Sequence, residues 1–484
     1  MKPTAHLLAL AVAASLAAAC DRAPGPVSDV ELPADATAQV DPAATPVTDL
    51  PDRAPGDGPA AFTVEEVREF DAPWAMTFLP DGRMLVTEMG GTLHVYDPMS
   101  DSAVPVSGVP EVVRVDQGGL GDVVLHPQYE ENGLVYISFV ERGDSDLMGG
   151  AVARARLVLE GEDGGGALED LEVIWRQDPK MPGDGHFGYR IAFGPEGLLW
   201  ISSSERKEFT PAQDMATNLG KIVRLNDDGT PAEGNPFADQ GGVAAQVWTL
   251  GHRNILGMTF DGEGRLWAHE MGPKGGDELN LIVRGENYGY PEVSNGNHYD
   301  DTPIPDHDTR PEFRAPVVSW TPVISPASFI IYDGNAFPEW QGSGFIGGLS
   351  SMSLVRIKFD GEDAREAERF DMGRRIREVE QGPDGELWLL EDGTLTDALV
   401  ARSEAQAADI WHIRHSVSEA NKLHGHSLSH DVAVRPSLVP RMIAECGAAV
   451  RARHPEANIL IVSHIGDGNV HFIVHFTHEE WAAM

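Results

Sequence analysis

The chain has 484 residues, and 76 Asp and Glu against 36 Lys and Arg give a formal net charge of −40. A surface this acidic excludes nucleic-acid binding and charge-driven attachment to anionic membranes, since both need a basic face that displaces counterions. The length allows two or three domains with a large core, while 52 Gly, 34 Pro and only 2 Cys exclude a disulfide scaffold and point to a turn-rich, β-heavy globular protein.

Lys2 precedes an apolar run from Leu7 to Ala19. One positive charge, a short apolar core and small residues before a boundary are the pattern of a secretory signal, and the run is too short to span a bilayer. Cys20, directly after Ala17, Ala18 and Ala19, resembles the lipobox of bacterial lipoproteins, with the usual leucine displaced by one to Leu16. The resemblance implies lipidation at Cys20, with plain secretion as the alternative, and a periplasmic or otherwise extracytoplasmic protein that meets a membrane only through such an anchor. Residues 1–20 are thus read as the signal. Residues 21–62, rich in Pro, Ala and Asp, are read as a disordered linker, because they cannot bury enough apolar surface to offset their ordering entropy.

Residues 63–392 recycle one phrase, a short apolar strand, an acidic-Gly turn and a second apolar strand. It appears at Phe78 to Val86, Phe193 to Trp200, Phe260 to Trp267 and Gly382 to Trp388, with variants at His126 to Val135 and Phe337 to Ile346. Pro or an acidic residue followed by Gly suits a tight turn with one residue at positive φ, and the flanking apolar residues suit paired strands. Irregularly spaced copies with few helical stripes between them predict an all-β, six-bladed β-propeller with loops of unequal length. A β-sandwich is the structural alternative, but it seldom runs this long.

Five polar clusters lie between the hairpins: Asp116 to Leu120, Gly183 to Gly188 around His186, Gly251 to Asn254, Glu270 to Asn280, and Gly373 to Arg377. Each alone has an ordinary reading. A glycine-flanked histidine is commonly a turn residue, Arg253 and Asn254 can pin a loop, and Arg375 and Arg377 share one side of a strand where they can simply balance acidic surface. Together, several arginines converging with a histidine on one channel mouth form a site for an anionic ligand. Gly272 and Pro273 followed by Asp277 and Glu278 offer oxygen ligands only, which suits Ca2+ better than zinc. There is no Rossmann glycine pattern, Walker loop or Cys/His metal spacing in this body.

The order of these clusters resembles the soluble PQQ-dependent sugar dehydrogenases, the aldose sugar dehydrogenase and soluble glucose dehydrogenase type. Lys221 to Leu225, Asn235-Pro236-Phe237, Asn287 to Pro291 and Trp320 through Tyr332 extend the likeness. The resemblance implies oxidation of an aldose at C1 to the lactone, with pyrroloquinoline quinone (PQQ) and Ca2+ as cofactors and a quinone or cytochrome as electron acceptor. It implies His186 as general base, Arg253 as catalytic and, with Asn254, Arg375 and Arg377, cofactor-binding, and Gln117 at the sugar. Gly272 and Pro273 would hold the cofactor calcium through their carbonyls, and Glu278 and Tyr288 a second, structural calcium. Three departures stand out. Ser350 replaces a lysine, Val323 after Pro322 replaces a hydroxyl residue, and Ile255-Leu256-Gly257 replaces Pro-Gln-Gly. A binding propeller without chemistry, a flavin-linked 2-hydroxyacid oxidase and a Ca2+-dependent lactone hydrolase are the competing readings.

Residues 393–484 follow another grammar. An amphipathic helix is predicted over 397–422, a second around Ser437 to Arg453, and strands at Asn458 to Ser463 and Val470 to Phe476. This small α+β segment resembles the C-terminal domain of FAD-linked oxidases of the glycolate oxidase and D-lactate dehydrogenase type, on Ser418-Glu419-Ala420, Ser429 to Val432 and His464 to His471. In metal-using members His464 and His471 would match zinc ligands. Two histidines underfill such a site, and no flavin-binding domain precedes them, so the segment reads as a fusion remnant rather than an active flavoenzyme. Ala398 to Arg402 is the candidate for the strand that closes the last blade.

Overall fold

The computed structural model describes residues 62, 64–159, 161, 165–392, 425–433, 439–454, 458–464 and 469–477. Cys20, the signal, nearly all of the linker, the helix expected over 397–422 and the closing strand expected at Ala398 to Arg402 lie outside the described residues.

Every copy of the repeated phrase forms the first two strands of an antiparallel unit. The first unit is β1 (Pro73–Phe78), β2 (Met84–Glu88), β3 (Thr92–Asp97) and β4 (Ser102–Ser107), and the second is β5 (Leu120–Leu125), β6 (Leu134–Arg142), β7 (Met148–Leu159) and β8 (Gly166–Arg176). The third holds β9 (Gly188–Phe193), β10 (Leu199–Ser203), β11 (Lys221–Leu225) and β12 (Val247–Leu250). The fourth holds β13 (Ile255–Phe260), β14 (Leu266–Glu270), β15 (Asp277–Ile282) and β16 (Val318–Trp320). β17 (Pro326–Ile331), β18 (Gly344–Gly348), β19 (Ser353–Asp360) and β20 (Asp363–Asp371) make the fifth, and β21 (Ile376–Gln381) with β22 (Leu387–Glu391) a two-stranded last. Parallel pairing of Val106 with Gly166 and Ser107 with Ala167 joins the outer strands of the first two units.

The turns explain the hairpins. Leu79 N–H donates to Arg83 O at 2.7 Å and Gly82 N–H to Leu79 O at 3.0 Å, and the same pair recurs at Gly382 with Glu386 and Gly385 with Gly382. Gly82 and Gly385 sit at φ +88° and +86°, the left-handed position that closes a three-residue hairpin loop. Apolar side chains then fill the space between units: Trp267, Leu279, Ile346 and Val355 in one cluster, Tyr136, Trp175, Ile201 and Val223 in another.

The first strands pack in succession, β1 on β5, β5 on β9, β9 on β13, β13 on β17 and β17 on β21, and β21 returns to β1. Arg190 of β9 gathers them. Its guanidinium meets Asp122 of β5 at 3.3 Å and Glu378 of β21 at 2.7 Å and lies 4.0 Å from the Trp74 ring centre on β1. It also donates to Ala327 O on β17 and Leu256 O on β13, both at 2.8 Å. One buried cation therefore touches the inner strand of every other unit.

The C-terminal segment is a three-stranded antiparallel sheet in the order β23 (Gly425–Ala433), β25 (Asn469–Thr477), β24 (Asn458–His464), with a helix at Val439–Arg451. Phe472 and Val474 pack with Met442, Ile443 and Val450 of that helix. The predicted second helix and two strands match. β23, which carries the Ser429 to Val432 motif, had no strand prediction.

Candidate active site

His186 lies in the loop that enters β9, at φ +52°. Its Nδ1 is 2.5 Å from Glu205 Oε1, just beyond β10. A carboxylate only accepts, so Nδ1 carries the proton and Nε2 keeps its lone pair. The other oxygen of Glu205 accepts Phe209 N–H at 3.0 Å, and Glu205 N–H donates to Arg253 O at 3.0 Å. Gln117 accepts His186 N–H at 3.0 Å, so three of the predicted residues converge here. Burial is the largest influence on the imidazole and pulls its pKa below the ordinary histidine value; Glu205 opposes this and the Arg253 charge adds to it.

Arg253 is buried and turns its guanidinium onto backbone, donating to Met271 O at 2.9 Å and Gly272 O at 2.6 Å, with Tyr299 Oη at 3.3 Å. Asn254 beside it is buried and contacts Met271 Sδ at 3.7 Å. The Gly272 loop is stapled by Asp277, whose carboxylate accepts Gly272, Ile324 and Ser325 N–H groups at 2.7–2.8 Å. Asp277 thus positions the loop that carries the predicted Gly272 carbonyl. Burial pushes its pKa up to about 6 against those three donors.

Arg375 and Arg377 both pair with the Asp392 carboxylate, at 2.8 and 2.9 Å. A cofactor carboxylate must compete with Asp392 for them. The sequence singled out no partner for this pair. Glu278 and Tyr288 line one small cavity together with Glu270, Gly251 and Ser294. Glu278 is held by His307 Nε2 at 3.3 Å, while the Tyr288 hydroxyl donates to Leu281 O at 2.5 Å and accepts Val283 N–H at 2.9 Å. That hydroxyl is committed to strand β15 and its end. Ser350, in the lysine position, accepts from Ser325 Oγ at 2.8 Å and brings no charge.

Two buried polar atoms on predicted cofactor-binding residues, Arg377 Nε and Asn254 Oδ1, have no hydrogen-bond partner, whereas Arg253 and the Tyr290 hydroxyl interact with each other. Buried polar groups are nearly always paired. An open donor on a buried cation fits an anionic ligand. The Gly272 carbonyl, which keeps a second lone pair beside its bond from Arg253, suits a hard cation. Sequence reasoning missed Glu205, since nothing in Ser202 to Lys207 marks it as the partner of a histidine in another loop; its place directly after a strand at the same mouth was the available signal.

An oriented imidazole thus stands beside buried cationic donors in an all-β body. The family model for glucose/sorbosone dehydrogenase matches residues 70–400, and the chain belongs to that family. It is 38% identical over 345 residues to the aldose sugar dehydrogenase YliI of Escherichia coli, covering 69% of this chain and 91% of that protein. Quinoprotein glucose dehydrogenase B of Acinetobacter calcoaceticus is 26% identical over 423 residues, covering 68% and 86%. The PQQ-bound aldose sugar dehydrogenase structure from Streptomyces coelicolor superposes with a TM-score of 0.55 at 30% identity, over 69% of this chain and 92% of that one. A second family model, the C-terminal domain of FAD linked oxidases, matches residues 376–484.

Proposed function

We propose that the protein is a PQQ- and calcium-dependent aldose dehydrogenase, which oxidises an aldose at C1 to the lactone and passes electrons to a quinone or cytochrome. The observation that carries this reading is the His186–Glu205 pair, a buried neutral base with its tautomer set. His186 Nε2 takes the proton of the anomeric hydroxyl as hydride leaves C1, so the sugar loses two hydrogens and two electrons in all. Glu205 stabilises the imidazolium that forms. When bound, PQQ supplies the two-electron quinone acceptor for that hydride. Arg253 stabilises negative charge that develops beside it, and Arg375, Arg377 and Asn254 hold the cofactor's polar edge. Gly272 and Pro273 would hold calcium through their carbonyls, and Gln117 meets the sugar.

The architecture that supports the site is a six-bladed propeller whose inner strands form the ring joined through Arg190. Export, with a lipid anchor at Cys20, is part of the same proposal and rests on the signal-like first 20 residues; intact-mass measurement of the native protein tests it. Adding PQQ and Ca2+ to apoprotein and following dye reduction by aldoses tests the activity. Aldose-dependent turnover is the expected result, and its absence across a panel of aldoses contradicts the reading.

A further inference from the structure

The exposed aromatic side chains among the described residues are Phe209 and Tyr299, at 44% and 72%. Both belong to the mouth that holds His186. Phe209 N–H is fixed by Glu205 Oε2 at 3.0 Å, the same carboxylate that grips the imidazole, and Tyr299 Oη meets Arg253 at 3.3 Å. The Phe209 ring stands edge-on to His298 at 5.6 Å and lies 6.3 Å from Tyr290.

Its backbone is strained. Phe209 has φ 59° and ψ −77°, and Thr210 N–H closes onto Glu208 O at 2.7 Å, a γ-turn in a conformation that non-glycine residues rarely adopt. Arg206 and Lys207 just before it also have positive φ. Strain of this kind persists where surrounding contacts over-determine it, and it gathers at ligand sites. Here it holds an apolar ring in solvent beside a base, at a cost that core packing does not return.

Resting on the aldose-oxidising reading above, we propose that Phe209 is the stacking platform for the sugar and a specificity-determining residue. An aldopyranose presents polar hydroxyl edges and an apolar face of C–H bonds. The Phe209 ring meets that C–H face, while the hydroxyls remain for Gln117 and His186. Because the Phe209 amide and the imidazole share Glu205, the ring that seats the sugar is held in fixed relation to the base. Pyranoses with an uninterrupted C–H face are the preferred substrates.

The test is a set of variants, Phe209→Leu, Phe209→Ala and Phe209→Trp, in the full chain loaded with PQQ and Ca2+, with glucose as the probe. Leu and Ala should raise KM about ten-fold, the size of one good ring contact, with kcat within about two-fold, and Trp should restore KM. Unchanged thermal melts exclude a folding effect. A Leu variant with wild-type KM overturns the proposal, and so does a fall in kcat at constant KM, which would make Phe209 a brace for Glu205. Saturation-transfer NMR of glucose on the apoprotein separates the two claims. If the wild type oxidises no aldose yet transfers saturation to glucose C–H protons, and Leu abolishes that transfer, the redox reading fails and the platform stands. No transfer in such an inactive wild type overturns both.

Discussion

The guanidinium of Arg253 donates to the carbonyl of Gly272 at 2.6 Å, so the cation proposed as catalytic and the oxygen proposed to hold calcium are hydrogen-bond partners. A positive charge at that distance disfavours a divalent ion on the same oxygen. The carbonyl keeps a second lone pair for calcium, and quinone oxygens would give Arg253 another acceptor and relieve the repulsion.

Calcium and PQQ should therefore bind synergistically. Calorimetric titration of apoprotein with Ca2+ alone should show weak binding at the Gly272 loop, and PQQ should raise that affinity by at least ten-fold, equivalent to about 1.4 kcal/mol of coupling. Arg253→Gln, which removes the charge, should strengthen calcium binding without PQQ. Equal calcium affinity with and without PQQ contradicts the relationship.

The pH dependence follows from His186. Its pKa lies below the ordinary value of about 6.5 because burial disfavours the charged imidazolium. The base must be neutral to work, and a lowered pKa keeps it neutral further into acid. The acid limb of kcat/KM should accordingly have its midpoint below 6.5, and Glu205→Gln, which removes the opposing charge, should move it lower still.

Glu205→Gln also tests orientation. The amide can accept from Nδ1–H but no longer balances charge on the imidazolium, so kcat should fall by about 10²-fold or more with a small change in KM. Far-ultraviolet dichroism should not change. A variant with wild-type kcat removes Glu205 from the mechanism.

Arg190 governs stability instead. Arg190→Met leaves Asp122 and Glu378 buried without their cation, and breaking such a pair costs about 3–5 kcal/mol. Urea unfolding should show a loss of that order. Because burial pushes the Glu378 carboxyl up to about 8, the loss should grow as pH rises through that range and the carboxylate forms.

What was legible in the sequence was local. Pro80-Asp81-Gly82 and its copies encode a turn, and each turn fixes the hairpin beside it, so the first two strands of every unit were readable. The His186 loop was readable through its glycines and the family likeness. Long-range pairings were not. Arg190 sits in an ordinary strand sequence, yet its partner Ala327 is 137 residues away. Arg375 and Arg377 carried the expected charge, but their shared partner Asp392 emerged only from the pairing of β21 with β22. Asp277 was legible as a carboxylate, but two of the backbone N–H groups it accepts, on Ile324 and Ser325, lie 47 and 48 residues away.

The most direct test of the central claim follows the bound quinone itself. PQQ- and Ca2+-loaded protein is mixed with glucose without an electron acceptor, and the cofactor spectrum is recorded for the wild type and His186→Ala. The wild type should reduce its PQQ within a single turnover, while His186→Ala binds PQQ equally and leaves it oxidised. Reduction at the wild-type rate in His186→Ala would contradict the account.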